Sequence, residues 1–206
     1  DGGTFDEDAG FKKFNGAFPG LLGRSAQLSP TQMQDFTNFI LQVTYPPNPI
    51  RNLDNSLTTD QQAGRNFFFG PISDTFQDCD GCHRLIPTAN AAFGVAAPGF
   101  FGTDGQSSFE NETQVLKVPH LRNLYQKVGM FGMAAVPFFN AGDNGFKGDQ
   151  IRGFGFLHDG GVDTLFRFHN ATVFNASELN PTGIPAGLAG DPLRRQLEAF
   201  MMAFDS

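Results

Sequence analysis

The clearest periodicity in the chain lies between residues 29 and 43, where Met33, Phe36, Phe39, Ile40 and Val43 recur at helical spacing. Ser29 stands at the N-cap position, Pro30 at the first helical position, and Gln32 completes a capping box. The run Tyr45-Pro46-Pro47-Asn48-Pro49 ends this helix and opens a linker that reaches Ser56. A second helix follows, capped by Thr58 or Thr59 with Gln61 or Gln62 three residues on, and it carries Phe67, Phe68 and Phe69. Pro119 opens a short helix over 119–127, and residues 164–174 form another. Asp191-Pro192 caps a final helix whose apolar face is Leu193, Leu197, Phe200, Met201 and Phe204.

Between these helices the pattern is that of loops. Residues 1–28 are rich in glycine and acidic side chains without a period. Residues 84–116 hold Gly, Pro, Asn and Ser throughout, and 134–156 read as an ordered loop insertion. No strand alternation and no internal repeat is present. The predicted fold class is mostly α with long ordered loops. Residues 1–55 form an N-terminal extension with one helix and a Pro-rich linker, and 56–206 form the main domain.

Composition narrows the partners. Fourteen basic residues against twenty-one acidic ones give a net charge of −7, which disfavours nucleic acid and anionic membrane surfaces. No apolar run has the length of a membrane span, and no secretory leader is visible. The opening at Asp1 reads as that of a mature form or an excised domain. Among the aromatic residues there are twenty-five phenylalanines, two tyrosines and no tryptophan. Most of these rings are expected in the core.

Both cysteines of the chain and one of its four histidines fall in Cys79-Asp80-Gly81-Cys82-His83. C-x-x-C-H is the attachment pattern of a c-type haem. The two thiols add to the porphyrin vinyl groups, and the adjacent histidine becomes the proximal iron ligand. A redox dithiol would want an apolar strand before the motif, where residues 73–78 are polar. A structural zinc site would need two further ligands, and His120, His158 and His169 are scattered. A disulfide between Cys79 and Cys82 would close a short, strained ring with little entropic return. One covalent haem c is therefore expected, in a cytochrome c-like helical domain. Such haems are attached outside the bacterial cytoplasm, so the expected location is periplasmic or extracellular.

Segments outside the motif resemble the bacterial dihaem cytochrome c peroxidase family. Residues 57–68 (LTTDQQAGRNFF) resemble its helix before a haem motif, and 117–123 (KVPHLRN) its V-P-T-L-R-N segment. Residues 157–165 (LHDGGVDTL) resemble its H-D-G turn, and 198–204 (EAFMMAF) its closing helix. The resemblance covers 57–206 in the family's order and points to the C-terminal, electron-transferring haem domain. The helix and linker before it look like the end of a preceding cytochrome-like domain. Two departures stand out: there is one haem motif rather than two, and residues 130–155 separate segments that nearly adjoin in the family.

The expected site is Cys79 and Cys82 as thioether donors and His83 as proximal ligand, with the other ring nitrogen of His83 donating to a backbone carbonyl. The resemblance sets Pro119 and Arg122 beside the haem edge, Arg122 suited to a propionate. The aspartate of the His158-Asp159-Gly160 turn is expected to organise the loop and cap the helix near Thr164. The family's distal methionine falls on Thr172, which ligates no haem. Met130 is the expected sixth ligand, with Met133 and His169 as alternatives beside an open iron. Asp143, Asn144 and Asp149 offer oxygen ligands for calcium, although their spacing is not that of an EF-hand. The expected function is a monohaem electron carrier whose partner is a cytochrome, a copper protein or a second haem domain. The alternative is a peroxidase reducing hydrogen peroxide at the haem, and an adhesive or structural haem module is the third reading.

Overall fold

The computed structural model describes residues 6–75, 78–83, 119, 121–133, 150–157 and 159–204, and the backbone alone at Cys82. The sequence expectations for 84–116, for His120, for His158 and for the calcium set Asp143, Asn144 and Asp149 lie outside the described residues. The fold is mostly α. No helix among the described residues is long and apolar enough to cross a membrane. The chain divides into two compact units, and residues 6–46 are the described part of the first.

In the first unit, residues read as loop form helices α1 (Glu7–Lys12) and α2 (Ala17–Gly20), joined by a 3-10 turn at Lys13–Gly16. Glycine content masks the local signals that hold them. Asp6 caps α1 by accepting from the Ala9 amide at 2.8 Å, and Glu7 and Asp8 face the positive end of its dipole. Asp8 also pairs with Lys12 one turn on. Helix α3 (Pro30–Ile40) carries the expected capping box. The Ser29 hydroxyl accepts from the Gln32 amide, and the Gln32 side chain accepts from the Ser29 amide. Its buried face is narrower than the periodicity predicts, with Met33 and Thr37 inside and Phe39 exposed, while Val43 lies past the helix end. Thr37 can be buried because its hydroxyl donates to the Met33 carbonyl at 2.7 Å. Phe36 packs edge-on against Phe11 and Phe18.

The second unit is built on α4 (Thr59–Phe68) and α7 (Asp191–Met202), packed against each other. Thr58 is the cap of α4, in a second full capping box with Gln61. Gly64 lets the helices meet closely: a Cβ there would lie 2.0 Å from the Gln196 carbonyl oxygen. Phe68, fully buried, stacks edge-on against Phe200 at 5.5 Å and near Phe204 at 5.8 Å. Each such ring contributes roughly 1.5–3 kcal/mol by burial. Not every phenylalanine is core, because Phe131 and Phe154 are exposed. Residues 47–56 belong to this unit, since the Asn48 amide donates to the carbonyls of Met202 and Phe204, both at 2.9 Å.

Three local expectations differ. Among the described residues of 119–127, the segment holds only a 3-10 turn at Leu124–Gln126, because Leu121 and Asn123 adopt φ of 65° and 61°, which no helix accommodates. Segment 164–174 holds one helical turn, α6 (Leu165–Phe168), and a 3-10 turn at Thr172–Phe174. Asn170 stops α6 by donating its side-chain amide to the Phe166 carbonyl at 3.0 Å, the acceptor its own amide would use in a longer helix. A minimal parallel ribbon is also present: β1 (Val128–Gly129) pairs with β2 (Arg152–Gly153), Val128 opposite Arg152 and Gly129 opposite Gly153.

Candidate haem site

Helix α5 (Cys79–Cys82) is a single turn, the backbone form that brings positions i and i+3 to one side of the chain. Asp78 starts it by accepting from the Gly81 amide at 2.7 Å. Its last turn closes with the His83 amide on the Cys79 carbonyl at 3.0 Å. Cys79 is partly buried, with its sulfur 3.5 Å from the Ser73 hydroxyl. Burial foremost pushes its thiol up to about 11, Ser73 opposes this, and Asp78 and Asp74 reinforce it. The group is a neutral thiol at pH 7.

The His83 ring lies with Nδ1 3.0 Å from the Pro119 carbonyl oxygen. A carbonyl can only accept, so Nδ1 carries the proton and the lone pair resides on Nε2. Burial holds His83 below its ordinary value, against the bond to Pro119, and keeps the ring in this neutral form. The structure thus joins His83 and Pro119, two residues that the sequence proposed for the site. Arg122 follows within the same segment, half-buried. Leu121, Leu124, Tyr125 and Val128 are all buried and pin the segment to the core.

Of the proposed sixth ligands, Met130 is 58% exposed, just past β1, while Met133 is 6% exposed and belongs to the core cluster. His169 is 3% exposed, its Nδ1 has no hydrogen-bond partner among the described residues, and its ring meets those of Phe168 and Phe174 edge-on, the two phenylalanines also touching each other. Burial, then the Arg194 cation, lower it to about 3, so it is neutral at all ordinary pH. Asp159 organises its turn by accepting from the Gly161 amide at 2.8 Å, but Thr164, not Asp159, caps α6.

Several supporting residues escaped the sequence reading. Asn180, buried, donates one amide to the carbonyls of Ser73, Val173 and Asn175, tying the segment before Cys79 to the loop after α6. Arg194, 1% exposed, donates to the carbonyls of His169, Gly187 and Pro185 and to the side chains of Asn175 and Asp191. The Asp163 carboxylate pairs with Arg167 at 3.2 Å, both buried. Asp163 with Arg167 and Asp191 with Arg194 are local pairs, but the carbonyls of His169 and Ser73 are brought to Arg194 and Asn180 by the tertiary fold.

No protein-family model matches the chain, and no curated protein matches it. Among solved structures, a chain of Kuenenia stuttgartiensis hydrazine synthase pressurized with 20 bar xenon is similar over 92% of this chain, with 21% identity and a TM-score of 0.43. The chain spans 60% of the length of that one.

Proposed function

We propose that this chain is a monohaem c-type cytochrome domain that carries single electrons. The carrying observation is the His83–Pro119 hydrogen bond, which puts the proton on Nδ1 and the lone pair of a neutral imidazole on Nε2, directly after the Cys79–Cys82 turn. Metal-ligating histidines are held in this way, the donor bond fixing the tautomer and raising ligand basicity. The residues fit the group that the C-x-x-C-H pattern implies. Cys79 and Cys82 would hold it by thioether bonds and His83 would bind its iron. Met130 would take the sixth position, and Arg122 would pair with a propionate. When bound, haem iron alternates between ferric and ferrous states and so passes one electron at a time. The chain's own contribution is to fix the proximal ring and to fill the sixth position, which excludes peroxide and favours transfer over turnover.

This reading keeps the resemblance to the electron-transferring domain of dihaem cytochrome c peroxidases as its family expectation. It places the protein in the periplasm or outside the cell, facing a cytochrome, a copper protein or a second haem domain. The net charge of −7 suits a basic partner. The test is a pair of experiments on protein matured with haem. Reductive titration should show one haem passing reversibly through a single one-electron step. Stopped-flow mixing with hydrogen peroxide should give slow bleaching only. Fast, saturable peroxide consumption would move the assignment to the peroxidase class.

A further inference from the structure

Met130 is more than half exposed, so side-chain packing does not set its position, and the residue before it is held from every side. Gly129 donates its amide to the Asp163 carbonyl at 2.7 Å. Its carbonyl accepts from the Arg152 guanidinium at 3.3 Å, and it pairs with Gly153 across the parallel ribbon. A Cβ at Gly129 would lie 2.7 Å from the Asp163 Cβ and 2.8 Å from its Cα, so no other residue fits without displacing one segment. Asp163 is itself immobilised by its buried pair with Arg167, and Val128 anchors the strand in the core.

We infer that Gly129 is the positioning residue for the Met130 thioether, its close seat on Asp163 fixing the direction in which the chain delivers Met130 to the iron. The inference rests on Met130 being the sixth ligand. An exposed methionine on an unconstrained loop would lose backbone and side-chain entropy on ligation, and the ribbon, by fixing Gly129, lowers the backbone part of that cost in advance. Asp163 and Arg152 act through Gly129 and do not touch the haem in this account.

The test uses the haem-loaded protein and two readouts, the weak sulfur-to-iron band at the red edge of the oxidised spectrum and the affinity for added imidazole, which competes with the thioether. Gly129→Ala should weaken the band and tighten imidazole binding by about 10-fold or more, the usual size of an outer-shell effect on a metal site. Arg152→Gln alters an exposed side chain and should fold; it should tighten imidazole binding by about fivefold, as loss of one hydrogen bond allows. Gly64→Ala strains the α4–α7 contact instead and should lower the melting temperature without moving either readout. If Met130→Ala abolishes the band while Gly129→Ala and Arg152→Gln leave both readouts at wild-type values, the positioning role is overturned. If Gly129→Ala yields no folded protein, Arg152→Gln decides on the same criterion. A band that survives Met130→Ala overturns the ligand assignment itself, a different result from failure of the positioning role.

Discussion

The Nδ1 of His83 and the carbonyl oxygen of Pro119 lie 3.0 Å apart although 36 positions separate the two residues in the chain. That bond decides which imidazole nitrogen is basic, and it joins the C-x-x-C-H turn to the segment that leads through Val128 to Met130. The proposed proximal histidine and the proposed distal methionine are therefore both tied to one segment, which begins at Pro119 and is anchored at Leu121, Leu124 and Val128.

Because the acceptor is backbone, Pro119→Ala should keep it. The oxidised spectrum and its spin state should remain those of the wild type, and stability should fall by no more than about 1 kcal/mol, from greater freedom of the unfolded chain. A change of spin state in this variant would show that the proline ring, not the carbonyl, governs His83.

His169 should make the fold acid-sensitive. Its folded value is depressed to about 3 by burial, whereas in the unfolded chain it takes up a proton near 6.5. Above that range both states are neutral at this residue and it contributes no pH dependence. As pH falls below it, the unfolded chain binds the proton first, so stability is lost at up to ~1.4 kcal/mol per pH unit until the folded value is reached. Urea unfolding between pH 7 and pH 4 should show this slope, and His169→Leu should remove it. An equal slope in both proteins would assign the acid loss to other groups.

Arg194 should be among the costliest side chains to remove. Arg194→Met leaves the carbonyls of His169, Gly187 and Pro185 without this donor and should destabilise by about 3 kcal/mol or more. Arg194→Lys should rescue little, since a point charge cannot serve acceptors spread around a planar fork. Denaturant midpoints measure both, and a lysine variant of wild-type stability would contradict the hub.

At Gly64 two effects oppose each other. Alanine is the better helix former by about 1 kcal/mol, but its methyl would strike the Gln196 carbonyl in a closely packed interface. Overpacking of that kind costs about 1–3 kcal/mol, so Gly64→Ala should lower the melting temperature on balance. A rise in melting temperature would mean that the two helices part easily.

What was legible in the sequence is what local chemistry determines. Ser29 with Gln32, and Thr58 with Gln61, place two helix starts correctly because a capping box is complete within four residues. The spacing of Leu197, Phe200 and Met201 likewise marks the buried face of α7. The C-x-x-C-H motif carries its own backbone turn, and a backbone-carbonyl partner for His83 is expected of a metal-ligating histidine, although nothing local says that the partner is Pro119. The failures have a common cause. Leu121 and Asn123 adopt left-handed backbone in a segment whose sequence reads as helix, and Asn170 stops α6 through a side-chain bond that periodicity cannot register. In the opposite direction, the glycines of residues 1–28 conceal short helices secured by Asp6, Asp8 and Lys12. Arg194 and Asn180 look like ordinary polar residues until the fold gathers carbonyls around them.

The measurement that bears most directly on the central claim is the intact mass of the protein produced with haem-attachment machinery, taken after denaturation in acid and extraction with organic solvent. The account predicts one species heavier than the chain by a single haem, with the colour remaining on the protein, and loss of that added mass in the Cys79→Ala, Cys82→Ala double variant. A mass equal to the bare chain, or haem that passes into the solvent, would contradict it.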